Sequence, residues 1–311
     1  MERIHAVTFA PFCARGTFEK EETRQSLKLM KEKTGANYVI FAPNGVQKTA
    51  FSEDIDYRTK RNVSDEELTA MIAYAKQLGL KVALKPTANC ADGTWRAHIN
   101  FFDEDVVCEP KWSNWFASYR TFQEHYAGIA QQCGVELFIA GCEMVQTERR
   151  EAEWREVIAA IRRKYDGLVS YNTDKYQEHN VKWWDAVDVI SSSGYYPIDD
   201  WENQLDRIEK VVRKFEKPFF FAEAGCMSVA GSNQVPNDWG VRGAYEEKGQ
   251  ADWFEAMFDA CKKRDWVGGF GIWEWAAWHG DGRNPVKRGD YEVYGKAAAD
   301  VIYRNFSQVL E

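Results

Sequence analysis

Apolar and polar positions along the chain follow two alternating rhythms. Short apolar runs of strand length recur between stretches whose apolar residues return every three or four positions. Ile4–Ala10, Asn37–Ala42, Lys81–Pro86, Val135–Glu143, Gly167–Tyr171, Val187–Ser191, Pro218–Gly225 and Gly268–Trp275 read as strands. Several are apolar at successive positions, as expected of parallel strands buried on both faces. Helical spacing fills the gaps. Thr23, Leu27, Met30 and Thr34 mark one helix, stopped by Gly35. Leu68, Met71, Ile72, Ala75 and Leu78 mark the next, opened by a Ser64–Glu67 capping box and closed by Gly79. Further helical faces centre on Tyr119, Val157, Ile208 and Met257, and a last helix runs over residues 294–306. Trp183 and Trp184 sit on a short helical piece between the fifth and sixth strands.

Strand and helix therefore alternate eight times with no break in composition, no low-complexity tract and no sequence repeat. That order predicts an α/β fold, a single (β/α)8 TIM barrel spanning residues 1–311 as one catalytic domain. A doubly wound open sheet would carry a glycine-rich phosphate loop after its first strand. Here that place holds Pro11-Phe12-Cys13-Ala14-Arg15-Gly16, with no GxGxxG. Two loops stand out. Residues 87–111 carry Trp95, Arg96, His98 and Asn100, and residues 228–242 are rich in glycine and asparagine. Loops of such length in a compact domain are usually functional.

Composition narrows the partners. With 311 residues, 45% of them hydrophobic, the chain can bury a large core. Its formal net charge of −8 disfavours nucleic acid. Thirteen Trp, 14 Tyr and 18 Phe supply core volume and flat surfaces on which sugar rings can stack. The seven cysteines include no CxxC pair, which points to a reducing compartment rather than a zinc site. No signal peptide is visible at the N-terminus and no run approaches a membrane span, so the expectation is a cytoplasmic chain without a membrane partner. His98 and His279 form no HxH or HxxxH pair, and no metal or cofactor is expected. Asp238 and Asp281 read as turn residues.

In a barrel of this kind the chemistry lies at the C-terminal ends of the strands. Those ends carry Asn44, Lys85, Glu143, Tyr195 or Tyr196, Glu223 and Trp273. Two strands end in a glutamate, and an unpaired buried carboxylate is expensive unless something uses it. Strands four and seven lie across the ring from each other, so Glu143 and Glu223 can converge at the mouth. Two such carboxyls suit glycosidic bond hydrolysis. A separation of about 5–5.5 Å means retention of configuration, and about 6.5–9.5 Å means inversion. Trp95, Trp239, Trp275 and Trp278 are candidate sugar platforms or packed loop residues. Glu274, next to Trp273, is expected to point away from it and pair with an Arg or Lys.

The ordered placement of these residues resembles the clan of retaining (β/α)8 glycosidases. More narrowly, the stretches FIAGCEM, FFFAEAG and GIWEW resemble glycoside hydrolase family 113, a family of β-mannanases, and the resemblance runs from the first strand to the eighth. It implies a retaining endo-β-1,4-mannanase acting on mannan or manno-oligosaccharides, as a monomer and without a cofactor. It also implies roles: Glu143 as general acid/base, Glu223 as nucleophile, Tyr195 donating a hydrogen bond to Glu223, and Trp273 as the floor beneath the reacting sugar. One departure stands out. Many clan members place Asn before the acid/base to hold the sugar 2-hydroxyl, and here that residue is Cys142. The 2-hydroxyl contact is then expected from elsewhere, from Asn89 or Lys85, or is weaker.

Other readings compete. A β-1,4-glucanase or xylanase of the same clan would share the mechanism. A metal-dependent barrel hydrolase would place His and Asp at the strand ends. A non-catalytic carbohydrate-binding barrel would keep the tryptophans but has no use for paired glutamates.

Overall fold

The computed structural model describes residues 2–279 and 287–307. Eight parallel strands close a barrel: β1 (Ile4–Phe9), β2 (Tyr38–Phe41), β4 (Lys81–Leu84), β6 (Leu137–Cys142), β7 (Leu168–Thr173), β8 (Val189–Ser193), β9 (Phe219–Ala224) and β10 (Val267–Trp275). The helices outside it are α1 (Glu21–Thr34), α2 (Asp65–Gln77), α3 (Trp112–Gln132), α4 (Glu151–Arg162), α5 (Trp201–Phe215), α6 (Glu247–Cys261) and α7 (Ala297–Ser307). This is the (β/α)8 architecture that the alternating pattern predicts. Between β7 and β8 the helix is reduced to one turn, Trp184–Ala186, where the two adjacent tryptophans are fully buried.

The sequence reading missed one feature. Short strands β3 (Asn44–Gln47) and β5 (Thr87–Cys90) continue β2 and β4 beyond the barrel and pair with each other in parallel. Pro43 and Pro86 stand just before them. A proline removes a ladder donor, so the sequence reads as a strand end although the chain resumes an extended path.

Two cores divide the apolar residues. Ile4, Ala6, Tyr38, Ile40, Ala83, Leu137, Ile139, Val189, Phe220 and Ala222 fill the barrel interior. The larger cluster lies between barrel and helices and takes the alternate positions, among them Phe138, Ala140, Phe219 and Phe221. The expected Ser64–Glu67 capping box opens α2, and the Glu67 carboxylate also accepts from the backbone of Gly16 and Phe18. No described helix is long and apolar enough to cross a membrane.

Candidate active site

Strand alternation alone would not deliver the two glutamates. In β9, Phe220 and Ala222 face the barrel interior, so a regular strand would turn Glu223 toward the helices. The register slips there: Ser192 pairs with Phe221, and the next residue, Ser193, pairs with Glu223. This one-residue bulge re-aims the side chain into the mouth. β6 slips likewise, between Ile139 and Cys142. Gly141 takes φ +127°, and a Cβ there would lie 2.2 Å from the Tyr119 hydroxyl. Glu143 itself has φ 52°, the left-handed region that a side chain adopts at some cost, and its N–H donates to the Asn172 carbonyl at 2.7 Å.

The result is convergence. Carboxylate oxygens of Glu143 and Glu223 and the Cys142 sulfur lie within 4.8 Å of one another. Both glutamates line a cleft of about 500 Å³ with Phe12, Trp95, Tyr195, Trp239 and Trp273. That volume suits a small ligand.

Each carboxylate has its own set of donors. Glu223 Oε1 accepts from the Lys85 ammonium, and from the Cys142 thiol at 3.2 Å. Its Oε2 accepts from the Tyr195 hydroxyl at 2.9 Å. Burial alone would push the Glu223 carboxyl up, but the charges of Lys85 and Arg96, with the bonds from Lys85 and Cys142, hold it below the ordinary value. Burial, then the Glu223 charge, pushes the Tyr195 hydroxyl far up, which keeps it a donor. Glu143 Oε2 accepts from Arg96 Nη2 and Trp95 Nε1, each at 3.1 Å, and its Oε1 accepts from Ser193 Oγ at 2.8 Å. Two buried cations thus face two buried carboxylates.

The other expected site residues divide. Tyr195, not Tyr196, reaches Glu223. Tyr196 is fully buried and donates to Glu178 at 2.8 Å, so it lies away from the cleft, because successive residues point to opposite sides. Lys85 is fully buried beneath Trp273, with Nζ 5.7 Å from the ring centroid. It therefore faces the Glu223 carboxylate rather than an open hydroxyl position. Asn89 accepts from Arg96 at 2.9 Å and donates to Asn44 at 2.8 Å, while Asn44 donates to the Arg61 carbonyl. Both support Arg96 instead of lining the cleft. Trp95 and Trp239 line the cleft, Trp275 is fully buried, and the exposed Trp278 is not part of the lining.

Glu274 has no Arg or Lys partner among the described residues. Burial, then the charges of Glu292 and Asp290, push its carboxyl up to about 8, and Lys296, the cation that opposes this, is bonded to Asp290 at 2.7 Å. Asp281 lies outside the described residues. Arg96 and Ser193 are the bonding partners that sequence reasoning missed. Arg96 sits on a single 3-10 turn in the long loop after β5, and the only hint was a cluster of polar and aromatic residues there.

Against this geometry stand the comparisons with known proteins. The profile of Glycoside Hydrolase Family 113 matches residues 7–296. The chain belongs to this family. Among solved structures, a GH113 β-1,4-mannanase shares 53% identity at a TM-score of 0.97, the match covering 99% of this chain and 100% of that one. The GH113 β-mannanase AaManA from Alicyclobacillus acidocaldarius, in complex with ManMIm, shares 41% at a TM-score of 0.93, covering 99% of this chain and 98% of that one. A β-glucuronidase from Ruminococcus gnavus, 16% identical at a TM-score of 0.65 and matched over 98% of this chain and 50% of that one, shares the fold alone. A comparison with curated proteins finds no match.

Proposed function

We propose that this chain hydrolyses β-1,4-mannosidic bonds in mannan or manno-oligosaccharides with retention of configuration. The observation that carries the mechanism is the approach of the Glu143 and Glu223 carboxylates to within 4.8 Å across the cleft. That spacing suits direct attack by one of them and leaves little room for the water that inversion needs. The substrate class rests on family membership and on the two relatives, a β-1,4-mannanase and a β-mannanase.

The roles follow from the environments. Glu223, held ionised and oriented by Lys85, Tyr195 and Cys142, is the nucleophile. Its oxygen bonds to the anomeric carbon as the bond to the leaving oxygen breaks. Glu143 gives its proton to that oxygen. In the second step Glu143 takes a proton from water, whose oxygen attacks the same carbon and releases Glu223. Trp273 is the floor under the reacting sugar, with Trp95 and Trp239 as further flat walls. Lys85 and Arg96 keep Glu223 ionised in a desolvated place. We take the active unit to be a monomer.

Turnover of mannohexaose by wild type, Glu143→Gln and Glu223→Gln tests this, with products resolved by length and anomer. Each variant is expected to lose about 10²-fold or more, the scale of acid/base catalysis alone. Wild type is expected to release β-anomers first. Activity restricted to β-glucan or xylan would remove the substrate assignment, and full activity in both variants would remove the mechanism.

A further inference from the structure

We propose that Asn172, fully buried near the end of β7, is a positioning residue for Glu143 and holds it at two points. Its main-chain carbonyl takes the Glu143 N–H, and its side-chain amide obliges the Ser193 hydroxyl to donate to the Glu143 carboxylate. The inference rests on the reading of Glu143 as acid/base.

The first point fixes the backbone. Glu143 has left regular strand geometry, with φ 52°, and its N–H donates to the Asn172 carbonyl at 2.7 Å. The second point fixes the side chain. Asn172 Nδ2 donates to the Thr173 carbonyl at 2.8 Å and lies 3.1 Å from Ser193 Oγ. Ser193 Oγ in turn lies 2.8 Å from Glu143 Oε1. Donor and acceptor capacity sets the direction of each bond. The Thr173 carbonyl can only accept, so the NH2 end of the amide faces it. The opposite end, Oδ1, faces the Lys85 ammonium at 3.5 Å, a group that can only donate. One amide proton goes to Thr173 and the other is left for Ser193 Oγ. A hydroxyl has a single proton. Because its oxygen accepts from Asn172, that proton is directed at Glu143 Oε1.

This donor matters because of where the others are. Arg96 and Trp95 both donate to Oε2 of Glu143. Among the described residues only Ser193 donates to Oε1, so Ser193 fixes the rotation of the carboxylate about its own bond. Strand pairing does not need the Asn172 side chain. Asn172 and Thr173 already pair with Ser191 and Ser192 along the β7–β8 ladder. Asn172 is fully buried and is not part of the cleft lining, so it acts through Ser193 rather than on the sugar. A buried amide is costly unless its donors are used, and here both are.

The test combines a double-mutant cycle with crystal structures. Ser193→Ala and Asn172→Ala are each expected to lower kcat/KM on mannohexaose about tenfold or more, the scale of one hydrogen bond to a charged group. On a dinitrophenyl β-mannoside, whose leaving group needs no proton, the same variants are expected to stay within about threefold of wild type. The double variant is expected to lose no more than Asn172→Ala alone, since both changes remove one chain of bonds. In the crystal structure of Asn172→Ala, the Ser193 hydroxyl is expected to have turned away from Glu143 Oε1. Additive losses, equal losses on the two substrates, or a Ser193–Glu143 bond that persists without the amide would overturn the proposal. If Asn172→Ala does not fold, Asn172→Asp decides by the same readings. It keeps the shape but turns the amide donor into an acceptor, which draws the Ser193 proton away from Glu143. If wild type cleaves no mannoside, the proposed function fails while the crystal structures still decide this inference: loss of the Ser193–Glu143 bond supports it and retention overturns it.

Discussion

At the scale of the residue, the site is a problem of keeping carboxylates charged away from water. Lys85 is the clearest case. It sits at the end of a strand, fully buried, and its ammonium bonds the Glu223 carboxylate. Replacing it with Met would leave that carboxylate buried without its main cation. The sign follows directly. Glu223 is held below its ordinary value by charges that outweigh burial, and in the proposed mechanism only the ionised form attacks. Removing Lys85 lets the desolvation effect dominate, so the midpoint rises. The acid limb of kcat/KM is therefore expected to move to higher pH in Lys85→Met, with activity falling most at low pH. A limb that stays in place would mean that Lys85 serves folding rather than the nucleophile. Cys142 shows a different economy. Its thiol is a weak donor, yet it touches Glu223 Oε1 and Arg96 Nη2, at 3.2 and 3.3 Å. Burial, followed by the Glu223 charge, pushes that thiol far up, so it remains a donor instead of adding a third anion.

At the scale of the element, the ends of β6 and β7 are tied together by Glu148. Its Oε1 accepts from the hydroxyls of Tyr171 and Thr173, both at 2.7 Å, while Oε2 is buried without a partner among the described residues. Burial outweighs the two hydrogen bonds and pushes the carboxyl up to about 8 from 4.5. A group whose folded value is raised stabilises the fold fully below its unfolded value and loses that contribution as pH climbs through the folded one. Between about pH 4.5 and 8, Glu148 should therefore erode stability by at most about 1.4 kcal/mol per pH unit. Glu148→Gln keeps the shape and removes the titration. Its denaturant-unfolding free energy is expected to fall less across that window than that of wild type. Parallel pH curves for the two proteins would show that Glu148 does not titrate there. The same elements explain how Glu143 is aimed. Gly141 lets β6 slip past the Tyr119 hydroxyl, and the chain then accepts a left-handed backbone at Glu143 itself. Both departures from regular strand geometry fall within three residues of the chemistry, where stored strain usually serves function.

At the scale of the whole molecule, one barrel mouth gathers side chains that are far apart in sequence. Lys85 and Glu223 are separated by 138 positions, Glu143 and Ser193 by 50. The proposed monomer predicts a light-scattering mass near the 35.9 kDa of one chain, at the concentrations where activity is measured. A stable dimer, with activity lost on dilution, would contradict it. The barrel was legible from the alternation of apolar runs with helical spacing, because a parallel strand must be covered on both faces and its crossover must be a helix. The proposed catalytic pair was legible for a related reason. A carboxylate at the end of a strongly apolar strand is unstable without a use, and two strands carry one.

What the sequence determined by itself is therefore the periodicity, the strand ends and the placement of Glu143 and Glu223 at two of them. Those depend on local pattern and on the cost of burying charge, both of which can be read in one dimension. Only the tertiary structure decided which way the glutamates point. Strict alternation would have sent Glu223 outward, and a one-residue bulge in β9 reverses it. Such a slip arises from pairing with neighbouring strands, and no residue of β9 announces it. The choice of Tyr195 over Tyr196, the withdrawal of Asn44 and Asn89 behind Arg96, and the ion pairs that hold the carboxylates were decided the same way. Each depends on distances between segments that the chain brings together only when the barrel closes.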